Sequence, residues 1–301
     1  MIKARWWVIG GAAGIVVVAA GLWLWQSAVR SSTPEEATLD YLHALESGDA
    51  DTVVASGVVV STIALDAFEA ATGLIDDGEV IRVRDDGDGV SATAEVSFDL
   101  DGETHTTQLT LGIIEGRWSV DATGLGTLVA ESTIGSDVAI GDTTVPTGRA
   151  VSLLPATYTV AAAPTTMLEG ENPVQVLPGA KATTAVDAAV RPEATAAAQA
   201  QLDEILEACT AAGTEVPDGC GIRIPWGTEF REVDSIRYRI DESPVITLTP
   251  SGFIAEGGTL VATVTGTGQN GEALTTTYRT VSWNLRGDVA FTADDLVLSP
   301  W

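Results

Sequence analysis

The stretch from Trp6 to Val29 constrains this chain most, because apart from Gln26 and Ser27 it carries no polar side chain. It opens WWVIGGAAGIVVVAAGLWLW. A helix of that length, rising about 1.5 Å per residue, covers the roughly 30 Å hydrocarbon core of a bilayer. Trp6 and Trp7 stand at one end and Trp23 and Trp25 at the other, roughly 27 Å apart along the helix, which matches the two interfacial aromatic belts. The stretch reads as one transmembrane helix over residues 6–29. Lys3 and Arg5 precede it and only Arg30 follows closely, so the positive-inside rule leaves residues 1–5 as a cytoplasmic tail and sends about 270 residues outside.

A cleaved signal peptide is the competing reading, since Val18-Ala19-Ala20 offers small residues at suitable offsets. Against it, the apolar run continues through Leu22, Trp23, Leu24 and Trp25, on the far side of any such cleavage site. Within the span Gly10 and Gly14 form a GxxxG pair that would let two helices approach, a route to a homodimer; glycine is also common in membrane helices generally.

Beyond the span, a hydrophobic content of 45% suffices for packed cores. The charge is lopsided: 42 acidic residues against 15 basic, a net charge of -27. Nucleic acid, whose binding requires Lys and Arg to neutralise phosphates, is excluded as a partner on this balance, and an anionic lipid surface is equally disfavoured. The acidic residues are scattered singly or in pairs, as on a solvated exterior. The two cysteines, Cys209 and Cys220, lie in the part assigned outside, with Gly213, Pro217 and Gly219 between them. In an oxidising compartment that spacing predicts a disulfide. A zinc site would need further ligands, and the two histidines, His43 and His105, lie far away without metal spacing.

Thr33-Pro34-Glu35-Glu36 is a helix start with an N-cap threonine, proline at the first helical position and a glutamate for a capping box. Ala37, Tyr41, Ala44 and Leu45 share one face, and Ser47-Gly48-Asp49 ends the helix. Helical pieces are expected at Ala50 to Ala55 and Ile63 to Thr72. From Gly78 the period changes to two, through Val80 to Arg84, Ala92 to Leu100, Thr104 to Ile114 and Arg117 to Val120, with Asp101-Gly102 and Glu115-Gly116 as hairpin turns. Helices first and an antiparallel meander after them give an α+β domain over residues 34–122. The acidic run Asp85 to Asp88 fails the calcium-loop template, since the twelfth residue is Val96 where a glutamate is required, and reads as a solvated hairpin tip.

Residues 124–190 lack helix signals. Short strands at Val138 to Asp142, Ala150 to Leu154, Tyr158 to Ala162, Val174 to Leu177 and Ala182 to Val190 predict a small all-β, sandwich-like module. Here Leu153-Leu154-Pro155-Ala156-Thr157-Tyr158-Thr159-Val160 resembles the proline-glycine-x-tyrosine-x-valine core of PEGA-type surface domains, with Ala156 where that pattern carries glycine.

The last region, 192–301, opens on Pro192-Glu193 and a helix with the stripe Leu202, Ile205, Leu206 and Cys209, followed by strands at Ile236 to Ile240, Val245 to Leu248, Thr259 to Thr265, Ala273 to Trp283 and Asp288 to Phe291. Asp101-Gly102-Glu103 parallels Asn270-Gly271-Glu272, Thr106-Thr107 parallels Thr275-Thr276, and Gly116 to Val120 stands against Gly287 to Phe291, which reads as an internal repeat. Both copies resemble the nuclear-transport-factor-two-like fold of membrane-anchored bacterial surface proteins. The resemblance implies two cone-shaped helix-plus-antiparallel-sheet domains flanking the β module. The order of parts is similar to teicoplanin-resistance-associated envelope proteins, without the zinc ribbon those carry before the span.

That resemblance implies a single-pass, extracytoplasmic, non-enzymatic envelope component that binds a cell-wall polymer or an envelope protein. The alternative is a small-molecule hydrolase or isomerase, because enzymes of the cone-shaped fold place a histidine, aspartate or tyrosine in the pocket. Tyr41, His43 and His105 are the candidates for that role, and both histidines read as solvent-facing. Nucleophile elbow, phosphate-cradling glycine loop and metal cluster are all missing from the sequence, so it assigns no catalytic, cofactor-binding or metal residue. Trp226, Trp283 and Trp301 are candidates for a binding surface, although Trp283 sits mid-strand and reads as core.

Overall fold

The structure is a computed structural model that describes residues 33–87, 89–215, 217–222 and 229–301. The span expected at Trp6 to Val29, its Gly10 and Gly14 pair, the tail before it and Trp226 lie outside the described residues. Among the described residues no helix is long and apolar enough to cross a membrane. The architecture is mixed α+β with sheet predominating. The described chain falls into two compact units: one holds residues up to Leu128 with Val151–Tyr158 and Gln175–Ala182, the other Val129–Ala150, Thr159–Val174 and Thr183–Trp301.

In the first unit, α1 (Pro34–Ser47) begins as the sequence dictates: Thr33 accepts from the Glu36 amide at 3.2 Å, Pro34 supplies the first turn, and Gly48 closes the helix at φ 69°. Its buried face is Ala37, Thr38, Tyr41, Leu42, Ala44 and Leu45. Asp49 and Ser61 cap α2 (Ala50–Ser56) and α3 (Thr62–Glu69). The meander β1 (Asp76–Asp85), β2 (Ser91–Leu100), β3 (Glu103–Ile114), β4 (Arg117–Val120) pairs in chain order. On β2 the alternation is unbroken, with Ala92, Ala94, Val96, Phe98 and Leu100 buried. The β2–β3 turn places Asp101 at φ 52° and Gly102 at φ 80°, the mirror-image geometry that matches strand twist in two-residue hairpins. Helix α1 lies against β1, β2 and β4. The alternation predicts one core of Tyr41, Leu42, Leu45, Phe98, Leu109, Leu111 and Trp118; Trp118 is only half-buried and pairs with Ile113 beside the Glu115–Gly116 turn, where Ile113 is itself exposed.

The Asp101 hairpin tip is also a binding element for the chain beyond the meander. Its carboxylate accepts from the Thr157 hydroxyl at 2.6 Å and from the Gln175 amide at 3.0 Å, while Thr157 and Gly73 form an antiparallel bridge. The Thr157 hydroxyl above all, and then Gln175, hold the Asp101 carboxyl below its ordinary value of 3.8. A carboxyl depressed in the folded state stabilises above its unfolded value and loses that contribution as pH falls through the folded one. Asp101→Asn, which keeps a residue tolerant of positive φ, is therefore expected to cost about 1 kcal/mol at pH 7, the tip being solvent-screened. The difference from wild type should close in thermal melts run from pH 5 down to pH 2; a gap independent of pH would refute the assignment.

Five strands were expected between residues 124 and 190, and nine occur. They are β5 (Gly126–Ser132), β6 (Asp137–Ile140), β7 (Thr143–Pro146), β8 (Ala150–Leu153), β9 (Ala156–Ala162), β10 (Leu168–Glu169), β11 (Glu171–Val176), β12 (Lys181–Val186) and β13 (Ala189–Val190). Their sheets run β11-β9-β6-β7 and β12-β5-β8, with β10 and β13 as a separate pair. Tyr158 is fully buried and its hydroxyl donates to the Leu154 carbonyl at 2.7 Å, which closes the Leu154-Pro155 corner.

In the second unit, α4 (Pro192–Cys209) buries Ala194, Ala198, Leu202, Leu206 and Cys209, whereas Ile205, expected on this stripe, is half-buried. The sheet comprises β14 (Phe230–Glu242), β15 (Val245–Leu248), β16 (Gly252–Gly268), β17 (Ala273–Phe291) and β18 (Leu296–Pro300), in the order β14-β16-β17-β18 with β15 also on β16. Helix α4 packs on β15 and β18. Two amides fasten it: Gln199 accepts from the Ile246 N–H at 2.9 Å and Gln201 from the Leu298 N–H at 2.7 Å. Register shifts around Gly258, with Gly257 at φ 80°, fall between the part of β16 that pairs with β15 and the part that pairs with β14.

Two sequence expectations need correction here. The proposed match of Gly116 to Val120 with Gly287 to Phe291 fails, because Arg117–Val120 forms the fourth lane of its sheet and residues 287–291 end the third lane of theirs; the fourth is β18. The helix stripe and strand alternation together predict one core of Leu202, Ile205, Leu206, Val264, Tyr278 and Trp283; Val264 and Tyr278 instead pack with Phe230, Ile236, Ala262 and Tyr238 in a cluster of their own. The length of β16 and β17 separates the two groups, since strands of 17 and 19 residues extend well past the cover of one helix.

Candidate binding face of the carboxyl-terminal sheet

Cys209 and Cys220 are joined, their Cα atoms 5.7 Å apart. The loop they close is held at two further points. Gly213 and Ile236 exchange backbone hydrogen bonds at 3.1 and 2.7 Å, and the Trp283 indole N–H donates to the Cys220 carbonyl at 2.9 Å. Gly221 then passes so close to β17 that a Cβ there would lie 2.2 Å from the Asn284 carbonyl oxygen, so only glycine fits. Trp283 is 1% exposed, as its mid-strand position predicts.

Trp301 behaves oppositely. It is 64% exposed, and the Arg286 guanidinium carbon sits 4.9 Å from its ring centroid. The register explains this pairing: Thr247 on β15 lies opposite Ile254 on β16, Ile254 opposite Arg286 on β17, and the Trp301 N–H donates to the Arg286 carbonyl. These four residues form a row across the sheet on the face away from the buried Ile246, Ala255 and Leu285. Two depressions adjoin the row, with volumes of about 540 and 300 Å³, and both are bordered by Ile254, Arg286 and Trp301. Glu256, Ser282 and Asn284 line the larger; Thr249, Ser251 and Asp288 line the smaller.

The titratable candidates named from sequence are dispersed. Tyr41 is buried, its hydroxyl donates to the Gly124 carbonyl at 2.7 Å, and burial, with Tyr158 adding to it, pushes the phenol far above its ordinary value. It is a structural donor and stays protonated. His43 is exposed. His105, read from its threonine neighbours as solvent-facing, lies instead on the core face opposite Phe98, the rings 5.7 Å apart. Strand alternation required this, since Leu109 and Leu111 share its parity. Its Nε2 is buried without a hydrogen-bond partner among the described residues. Among those residues no group of three His, Cys, Asp or Glu is placed to hold a metal, and Asp85 at the acidic hairpin tip accepts from the Gly87 amide at 2.7 Å.

Compared with known proteins, the chain matches no family model, no curated protein and no solved structure.

Proposed function

We propose that this chain is a single-pass membrane protein whose bulk lies outside the cytoplasm and acts as a non-enzymatic binding or scaffolding component of the cell envelope. The apolar stretch with its tryptophan ends and the Lys3 and Arg5 bias support the anchor and its orientation. One structural observation carries the binding role: an exposed aromatic residue backed by a guanidinium and bordered by two depressions, the larger lined mainly by polar groups and the smaller mainly by apolar ones. Exposed indoles are concentrated at recognition surfaces because they combine large apolar area with little conformational freedom to lose. The resemblance to PEGA-type and nuclear-transport-factor-two-like envelope proteins points the same way.

The purified full chain is expected to pellet with cell walls isolated from the source cells and to stay in the supernatant without them. Equal amounts in the supernatant with and without walls would contradict a wall-binding role. The second reading, a hydrolase or isomerase, is favoured by the buried, unpartnered His105 Nε2 alone. It requires a small ligand that perturbs the His105 imidazole resonances in NMR.

A further inference from the structure

We propose that the outer face around Trp301 and Arg286 binds an uncharged polysaccharide; the proposal rests on the envelope-binding reading and names the site and ligand class for it. Ile254, Arg286 and Trp301 line both depressions, so a ligand lying across these three residues would touch both. Together they extend past the size of a single sugar ring, and an oligomeric chain suits that shape.

The chemistry of the lining selects the class. A pyranose ring offers an apolar C–H face and a rim of hydroxyls. Trp301 supplies the flat apolar partner, and Arg286, stacked on the indole, holds it in place while its outward N–H groups remain donors. Glu256 and Asp288 accept from hydroxyls, and Asn284 both donates and accepts. A lipid or an apolar protein segment would need continuous apolar surface, yet Ile254 and Trp301 are separated along the row by Arg286. An anionic polymer meets two carboxylates for one guanidinium at the site and a chain of net charge -27 overall. Uncharged sugars avoid both penalties.

The test titrates chitotetraose and cellotetraose into the full-length chain, following heat and tryptophan fluorescence, with Trp301→Ala, Arg286→Ala and, as a control in the other unit, Ile113→Ala. Both mutated site residues are exposed, so circular dichroism and melting should stay those of wild type. At least one tetrasaccharide should bind in the millimolar range or tighter, with affinity reduced about tenfold or more by Trp301→Ala, reduced less by Arg286→Ala and unchanged by Ile113→Ala. No heat or fluorescence change with either sugar, or a Trp301→Ala chain that binds as wild type, overturns the proposal. Wall pelleting separates the two levels of failure. If wild type and Trp301→Ala pellet equally, this site is wrong and the envelope reading stands; if wild type does not pellet, the broader reading fails with it.

Discussion

Replacing Trp283 by alanine is expected to destabilise the carboxyl-terminal sheet by about 3–5 kcal/mol. The side chain is 1% exposed, and its loss leaves both a cavity and an unpaired Cys220 carbonyl, since the indole N–H is that group's donor. Trp283→Phe keeps most of the ring but not the N–H, and should cost about 1–3 kcal/mol. The readout is hydrogen exchange of the β16–β17 amides in the full chain, which reports this sheet separately from the other unit. Exchange unchanged in Trp283→Ala would remove Trp283 from the centre of this packing.

Opening the Cys209–Cys220 bridge, by reduction or by the paired change to serine, should cost about 3 kcal/mol in the chain-entropy account for so short a loop. Among the described residues the loop is then held through Gly213 and Cys220, the second of which depends on Trp283. The two perturbations therefore act on one element, and combining them should cost less than the sum of the separate effects. Simple additivity would mean that Trp283 and the bridge stabilise different structures. Thiol counting on denatured, unreduced protein from the native host should find no free cysteine.

Features with a local cause were legible in the sequence. The Thr33 cap, the alternation of β2 and the Asp101-Gly102 turn each depend on residues within a few positions of one another. Cys209 and Cys220 could be paired because they are the chain's two cysteines. Longer-range features were lost. The polar run around Asn284 and Gly287 looked like a gap between strands, whereas β17 passes through it because both neighbours continue the ladder. β18 follows the acidic Asp294-Asp295 pair and ends on Pro300, a residue that weakens a strand signal. His105 was misjudged by weighing its neighbours' polarity over strand parity. Trp301 could be named as a binding-surface candidate but the row around it could not, because Thr247, Ile254, Arg286 and Trp301 are distant in sequence and only the register of the strands aligns them.

Binding to a cell-wall polymer requires the sheet-rich region to lie on the outer side of the membrane. Protoplasts exposed to protease and then probed with an antibody to the region after Arg30 give the most direct measurement. Loss of the signal without lysis is the predicted result. A signal that survives on intact protoplasts and disappears only after detergent is added would place the region in the cytoplasm and contradict the envelope reading.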